Sequence, residues 1–148
     1  ILDINWVSLG PTPGYYFNYG NISSRIVTGA YHPNDPNIIY IGPANGGVWK
    51  SVDGGINWIP LTDYEQSLSM GAIAIDPSNP DIVYAGTGEA TYGGASWYGR
   101  GLLKTTNAGN TWTHITNGLP GSTYFSRIVS GVTPSGIDFE LSSLTGFP

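Results

Sequence analysis

An eight-residue motif occurs twice, as Ser51-Val52-Asp53-Gly54-Gly55-Ile56-Asn57-Trp58 and as Thr105-Thr106-Asn107-Ala108-Gly109-Asn110-Thr111-Trp112. Each copy follows a matching run, Gly47-Val48-Trp49-Lys50 or Gly101-Leu102-Leu103-Lys104. Further upstream, His32-Pro33-Asn34-Asp35-Pro36 matches Asp76-Pro77-Ser78-Asn79-Pro80. A chain that repeats itself at this length folds as similar units stacked on one another, in a solenoid or a propeller, because one such unit cannot bury its apolar face alone. Pro33 to Pro77 is 44 positions and Trp58 to Trp112 is 54, so the second unit carries 54 − 44 = 10 extra residues, confined by the flanking matches to 87–101. A third unit begins at Phe125-Ser126-Arg127-Ile128-Val129, echoing Ser24-Arg25-Ile26-Val27, but no further Pro-x-x-Pro turn follows it.

Within each unit, short stretches rich in Val, Ile, Tyr and Trp are separated by Gly, Pro, Asn and Asp, the pattern of strands joined by tight turns. It predicts strands over 26–31, 38–42, 47–51 and 57–61, and again over 72–75, 82–86, 101–105 and 111–115. Pro33 and Pro77 pre-set φ at the second position of a turn, and the prolines three residues later keep the chain extended. In the repeated motif, Asp53 or Asn107 can accept hydrogen bonds from nearby backbone amides, and Gly55 or Gly109 can take positive φ. Trp58 or Trp112 can anchor the hairpin in the core. Ser51, Asp53, Gly55 and Trp58, with Thr105, Asn107, Gly109 and Trp112, are therefore assigned structural roles.

At 148 residues the chain is long enough to bury one core. A formal charge of −5, with three arginines and two lysines, argues against a nucleic-acid or anionic-membrane partner, because both demand a basic face. No apolar run reaches the length of a membrane helix. The lack of cysteine removes disulfides, thiol catalysis and Cys-type zinc sites, and the two histidines are far apart, so neither a metal nor a cofactor is expected. The acidic turns at Asp35, Asp53 and Asp81 lack the convergence of six to eight oxygens that calcium needs. The start at Ile1, with no initiator Met or signal-like region, reads as a chain processed or cut from something longer.

The repeated motif resembles the Asp-box, or bacterial neuraminidase repeat, of sialidases, sortilin-type receptors, xyloglucan-hydrolysing enzymes and photosystem II assembly factors. With Trp6-Val7-Ser8-Leu9-Gly10-Pro11, Ser24-Arg25-Ile26, Gly46-Gly47-Val48-Trp49-Lys50-Ser51 and Gly86-Thr87-Gly88-Glu89, the chain is similar to large secreted Asp-box proteins of the Bacteroidetes, many of them type IX secretion cargo. The resemblance implies an all-β propeller: about two four-stranded blades and part of a third, the N-terminal part of a larger propeller. The implied divisions are an N-terminal strand and aromatic loop over 1–23, blades over 24–67 and 68–120, and an incomplete blade or linker over 121–148. The remaining blades, from the same polypeptide or from partner chains, are the expected partners, and the implied location is extracellular or on a bacterial cell surface.

By the same resemblance, the loop between the second and third strands of a blade opens on the ligand side. The inserted loop 87–101 therefore carries the candidate ligand-binding residues Glu89, Tyr92, Trp97, Tyr98 and Arg100. The aromatic rings can stack on sugars, Arg100 can hold a carboxylate or paired hydroxyls, and Glu89 can act as acceptor or general acid/base. The competing reading is structural, with Glu89 capping backbone amides or pairing with Arg100. Glycosidases use two carboxylates across the scissile bond. The place where xyloglucan-cleaving relatives carry a catalytic Asp corresponds to Pro43-Ala44-Asn45-Gly46-Gly47, which has no acid. Arg25, Arg100 and Arg127 match the sialidase arginine triad in number only, and the equivalent repeat positions of Arg25 and Arg127 suggest pairing with an adjacent blade or its loops. The aromatic run Tyr15-Tyr16-Phe17-Asn18-Tyr19 is a second candidate surface. The leading functional expectation is a non-catalytic extracellular binding or adhesion propeller that contacts a glycan or surface protein. The alternatives are a glycoside hydrolase half-site with Glu89 as one carboxylate, and a structural or cargo role in a secretion or surface complex.

Overall fold

Strand ends in this protein fall where side chains or glycines take over the backbone hydrogen bonds. The computed structural model describes residues 14–16, 20–22, 25–89, 97–119, 124–128, 130–133 and 136–139. In the first unit the strands are β3 (Ile26–His32), β4 (Asp35–Pro43), β5 (Trp49–Ser51) and β6 (Ile59–Pro60), after a short hairpin of β1 (Gly14–Tyr16) and β2 (Gly20–Ile22). The second unit supplies β7 (Met70–Ile75), β8 (Val83–Thr87), β9 (Leu102–Thr105) and β10 (Thr113–Ile115). A last hairpin joins β11 (Ser130–Thr133) to β12 (Gly136–Phe139). No helix occurs among the described residues.

Each unit is a four-stranded antiparallel meander, β3-β4-β5-β6 and β7-β8-β9-β10. The repeat extends to the register: Ala30 pairs with Tyr40 as Ala74 pairs with Tyr84, and Tyr40 with Lys50 as Tyr84 with Lys104. Even the irregularities recur, since the first strand of each sheet skips one residue, Val27 or Gly71, in its pairing. Such a bulge increases the local twist of the strand.

The predicted strands shift at their ends for identifiable reasons. β5 and β9 begin at Trp49 and Leu102 because Gly47 (φ 74) and Gly101 (φ 110) adopt left-handed backbone outside the strand region. β6 and β10 start late because the amides of Asn57 and Thr111 donate to the Asp53 and Asn107 side chains, at 2.9 Å each, and so belong to the turn. β6 is also an edge strand ending at Pro60, which has no amide to donate. The first turn is tight, with His32 opposite Asp35, so β4 starts earlier than the sequence suggests. In the second unit the Asp76 carboxylate accepts from the amides of Ser78 and Asn79 (2.8 and 3.2 Å), and the flanking strands stop at Ile75 and Val83.

The two sheets stack face to face. One face of the second sheet presents Ile73, Ile75, Val83, Ala85 and Leu103, which meet Tyr40 and Val48 of the first sheet in a buried core, with Leu61 and Trp112 half-buried against it. Alternation along the strands sends Ala72, Ala74, Tyr84 and Leu102 to the opposite face, where Phe125 and Ile128 cover them. Each fully buried aliphatic or aromatic side chain contributes on the order of 2 kcal/mol. Close approach at the sheet centre requires small residues. A Cβ added at Gly42 would meet Met70 Cβ at 2.7 Å, and one at Gly86 would collide with the Phe125 ring.

Candidate functional site

Loop 87–101 is built on a threonine clasp. Thr87 Oγ1 donates to the carbonyl of Gly101 (2.6 Å) and accepts from the amide of Arg100 (2.7 Å), joining both ends of the insertion. Gly88, at φ 90, donates its amide to Ser69 in the adjoining strand region at 2.8 Å. The chain then turns into a two-residue bridge, with Glu89 and Trp97 exchanging backbone hydrogen bonds at 3.0 and 3.3 Å. This neck fixes where Glu89 stands and where the aromatic residues emerge. The His114 ring contacts the Arg100 carbonyl from β10, bracing the far side.

Glu89 is 3 % exposed, and its Oε1 lies 2.6 Å from an Arg25 guanidinium nitrogen. Its partner is thus Arg25 of the first sheet and not Arg100, whose exposed residue leaves the loop at the Thr87 clasp. Glu89 Oε2 is buried without a hydrogen-bond partner. A buried carboxylate oxygen in that state is costly, and unsatisfied groups of this kind mark positions where water or a ligand donor belongs. Arg25 stands at the entry to β3, half-exposed, so the pair bridges two sheets and one end of it reaches solvent.

Beside this pair, Trp97 (57 % exposed) and Tyr98 (66 % exposed) present their rings to solvent. Tyr98 lies against Tyr124, with ring centroids 5.0 Å apart and planes tilted by 34°. Partial burial, and then a hydrogen bond and electrostatic repulsion from Tyr98, raise the Tyr124 phenol above its ordinary value. Tyr124 was not visible as a site residue in the sequence; its only signal is its place just before the third unit. The structure brings Glu89, Trp97 and Tyr98 together at the loop neck and sets Arg100 at its base. Tyr92 lies outside the described residues, as do the side chains of the run at 15–19.

The repeat-equivalent loop of the first sheet is closed. Ala44, which stands where the acid of xyloglucan-cleaving enzymes was sought, is buried; its amide donates to the Arg25 carbonyl (2.9 Å) and its own carbonyl accepts from Ser69 Oγ (2.8 Å). Asn45 holds the position equivalent to Glu89 and is exposed. Among the described residues, no cluster of three or more His, Asp or Glu side chains could hold a metal ion.

The two motif turns lie away from this loop. Ser51 Oγ accepts from the Gly55 amide (2.8 Å) and donates to Asp53 (2.8 Å), while Asn57 donates its backbone amide and its side-chain amide to the two Asp53 oxygens (2.9 and 2.7 Å). These bonds, the Asn57 amide first, pull the Asp53 carboxyl down to about 2. Gly55 and Gly109 adopt φ of 94° and 95°.

No protein-family model matches the chain. A xyloglucanase of Paenibacillus sp is 28 % identical over 127 residues, covering 71 % of this chain and 12 % of that protein. Among solved structures, an ancestral GH74 enzyme superposes with a TM-score of 0.57 at 22 % identity, over 72 % of this chain and 14 % of the other. The GH74 enzyme of Niastella koreensis gives 0.53 at 23 % identity, over 69 % and 15 % of the two chains. The GH74 xyloglucanase of Xanthomonas campestris gives 0.55 at 17 % identity, over 79 % and 18 %. The stacked four-stranded meanders are therefore blades of an all-β propeller, β3–β6 the first and β7–β10 the second. The chain spans only 12–18 % of the length of these relatives.

Proposed function

We propose that this chain forms part of a secreted propeller that binds a β-glucan such as xyloglucan and cleaves it as a glycoside hydrolase, with the neck of loop 87–101 and Arg25 contributing one wall of the binding groove. The observation that carries this reading is the similarity to a xyloglucanase across most of the chain. The geometry supports it: a buried carboxylate anchored by an arginine, one oxygen unpartnered, beside exposed aromatic rings. Sugar rings stack on aromatic faces while their hydroxyls donate to fixed carboxylates. Arg25 orients Glu89, leaving Oε2 to accept from a sugar hydroxyl or an attacking water. Hydrolysis further requires a second carboxylate across the scissile bond, contributed by other blades of the propeller.

The test is release of reducing ends from xyloglucan by the native polypeptide. Glu89→Gln preserves the shape of the side chain and removes its charge, so the turnover rate is expected to fall about a hundredfold or more, with the melting temperature checked in parallel. An unchanged rate in a folded variant would remove Glu89 from the chemistry. A second reading, a propeller that binds glycan without cleaving it, is favoured by buried Ala44 in place of an acid in the first blade. Its signature is xyloglucan binding with no product released by the wild type.

A further inference from the structure

The contact between the two blades is directional, and it leaves one half of itself unused. Tyr40 Oη and Lys50 Nζ, from β4 and β5 of the first blade, both donate to the carbonyl of Ala108 in the motif turn of the second blade, at 3.1 and 3.0 Å. Lys50 also lies over the Tyr40 ring, 5.3 Å from its centroid. Leu61 completes the contact by covering Gly109, where an added Cβ would meet Leu61 Cδ1 at 2.5 Å. The motif turn therefore serves as the acceptor half of a latch whose donor half is a Tyr, a Lys and an aliphatic residue on the preceding blade.

The first blade carries the same acceptor half. Gly54 stands in the position of Ala108, and its amide donates to Asn37 as the Ala108 amide donates to Asp81. An added Cβ at Gly55 would meet only Trp58 of its own turn and Ile39 of its own sheet, at 3.5 and 3.9 Å. The sheet face beside this turn is likewise uncovered. Tyr31, Ile39 and Trp49 hold the positions of Ile75, Val83 and Leu103; those three are buried against the first blade, whereas Tyr31 is 70 % exposed and the other two are half-exposed.

We propose that this face of the first blade is a docking surface for a further blade of the same repeat, which places a Tyr hydroxyl and a Lys ammonium on the Gly54 carbonyl and an aliphatic side chain over Gly55. The second blade shows that the donor set recurs: Tyr84, Lys104 and Ile115 occupy the positions of Tyr40, Lys50 and Leu61, with Lys104 again 5.3 Å from the Tyr84 ring centroid. A second copy of this chain docked face to face would oppose one acceptor carbonyl with another and supply no donor. Nor does the second blade of another copy fit, because its corresponding face is already covered by Phe125 and Ile128.

Hydroxyl-radical footprinting of the native polypeptide, isolated from its source, tests this. Tyr31 is expected to lose its reactivity while Tyr64, fully exposed in the loop after β6, keeps it. Equal reactivity at both positions overturns the proposal. Protection alone does not name the occupant, so a photoreactive residue placed at exposed Val52, in the acceptor turn, provides the second readout. The cross-linked peptide is expected to come from a strand carrying the Tyr or the Lys of another copy of the repeat. Attachment to any other sequence, or the absence of a cross-link, overturns it.

Discussion

The two motif turns have the same shape and different charge. In the first, Asp53 accepts two bonds from Asn57; in the second, Asn107 accepts from the Thr111 amide at 2.9 Å but donates its own Nδ2 to Thr111 Oγ1 at 2.8 Å. One hydrogen bond has reversed polarity, and both of its partners have changed to match. The hydroxyl at the start of each turn is unaltered in role: Ser51 and Thr105 accept from the amide four residues on, at 2.8 and 3.0 Å. The comparison teaches that the turn is specified by its hydrogen-bond pattern, with the negative charge dispensable. It also separates what each turn does alone from what it does for its neighbour, because only the second has another blade latched onto it.

That separation predicts the largest effect. Gly109→Ala and Gly55→Ala impose similar backbone strain, about 1–3 kcal/mol each. Gly109→Ala additionally drives a methyl into Leu61 across the blade interface, so it is expected to cost about 1–3 kcal/mol more in denaturant unfolding. Equal costs would mean that the interface yields freely, or that the Gly55 side is equally covered.

A smaller effect is expected from the hydroxyl. Thr105→Val keeps the volume of the side chain but leaves the buried Gly109 amide without its acceptor, a loss of about 1–3 kcal/mol. Ser51→Ala should behave alike, and a large disparity between the two would break the equivalence of the turns.

The smallest effect is electrostatic and belongs to the first turn alone. The Asp53 carboxyl is lowered in the folded state from 3.8 to about 2, so its stabilising contribution is present above pH 3.8 and is lost as pH falls towards 2. Unfolding midpoints measured across that window should fall more for the wild type than for Asp53→Asn. Combining Asp53→Asn with Asn57→Thr, which recreates the second turn's pairing, should restore the midpoint lost by Asp53→Asn at neutral pH.

Much of the fold was legible because the repeat carries its own register. Once Pro33 is aligned with Pro77 and Trp58 with Trp112, the strand pairings of one blade dictate those of the other. Strand ends were less legible: whether Asn57 belongs to a strand depends on an aspartate side chain four residues away capturing its amide. The candidate site divides similarly. Its loop was readable as an insertion, and the repeat position of Arg25 pointed towards a neighbouring blade. That the neighbour's residue is Glu89, and that Tyr124 meets Tyr98, depends on how the sheets stack, which no local pattern encodes.

The central claim is that the neck of loop 87–101 holds a polysaccharide with the Glu89 carboxylate as a fixed acceptor. Titration calorimetry of the native polypeptide with xyloglucan oligosaccharides, comparing wild type, Glu89→Gln and Trp97→Ala, tests it most directly. The account predicts binding by the wild type, weakened about ten- to a hundredfold by Glu89→Gln and clearly reduced by Trp97→Ala. Wild-type binding that neither substitution alters, or no binding at all, would contradict it.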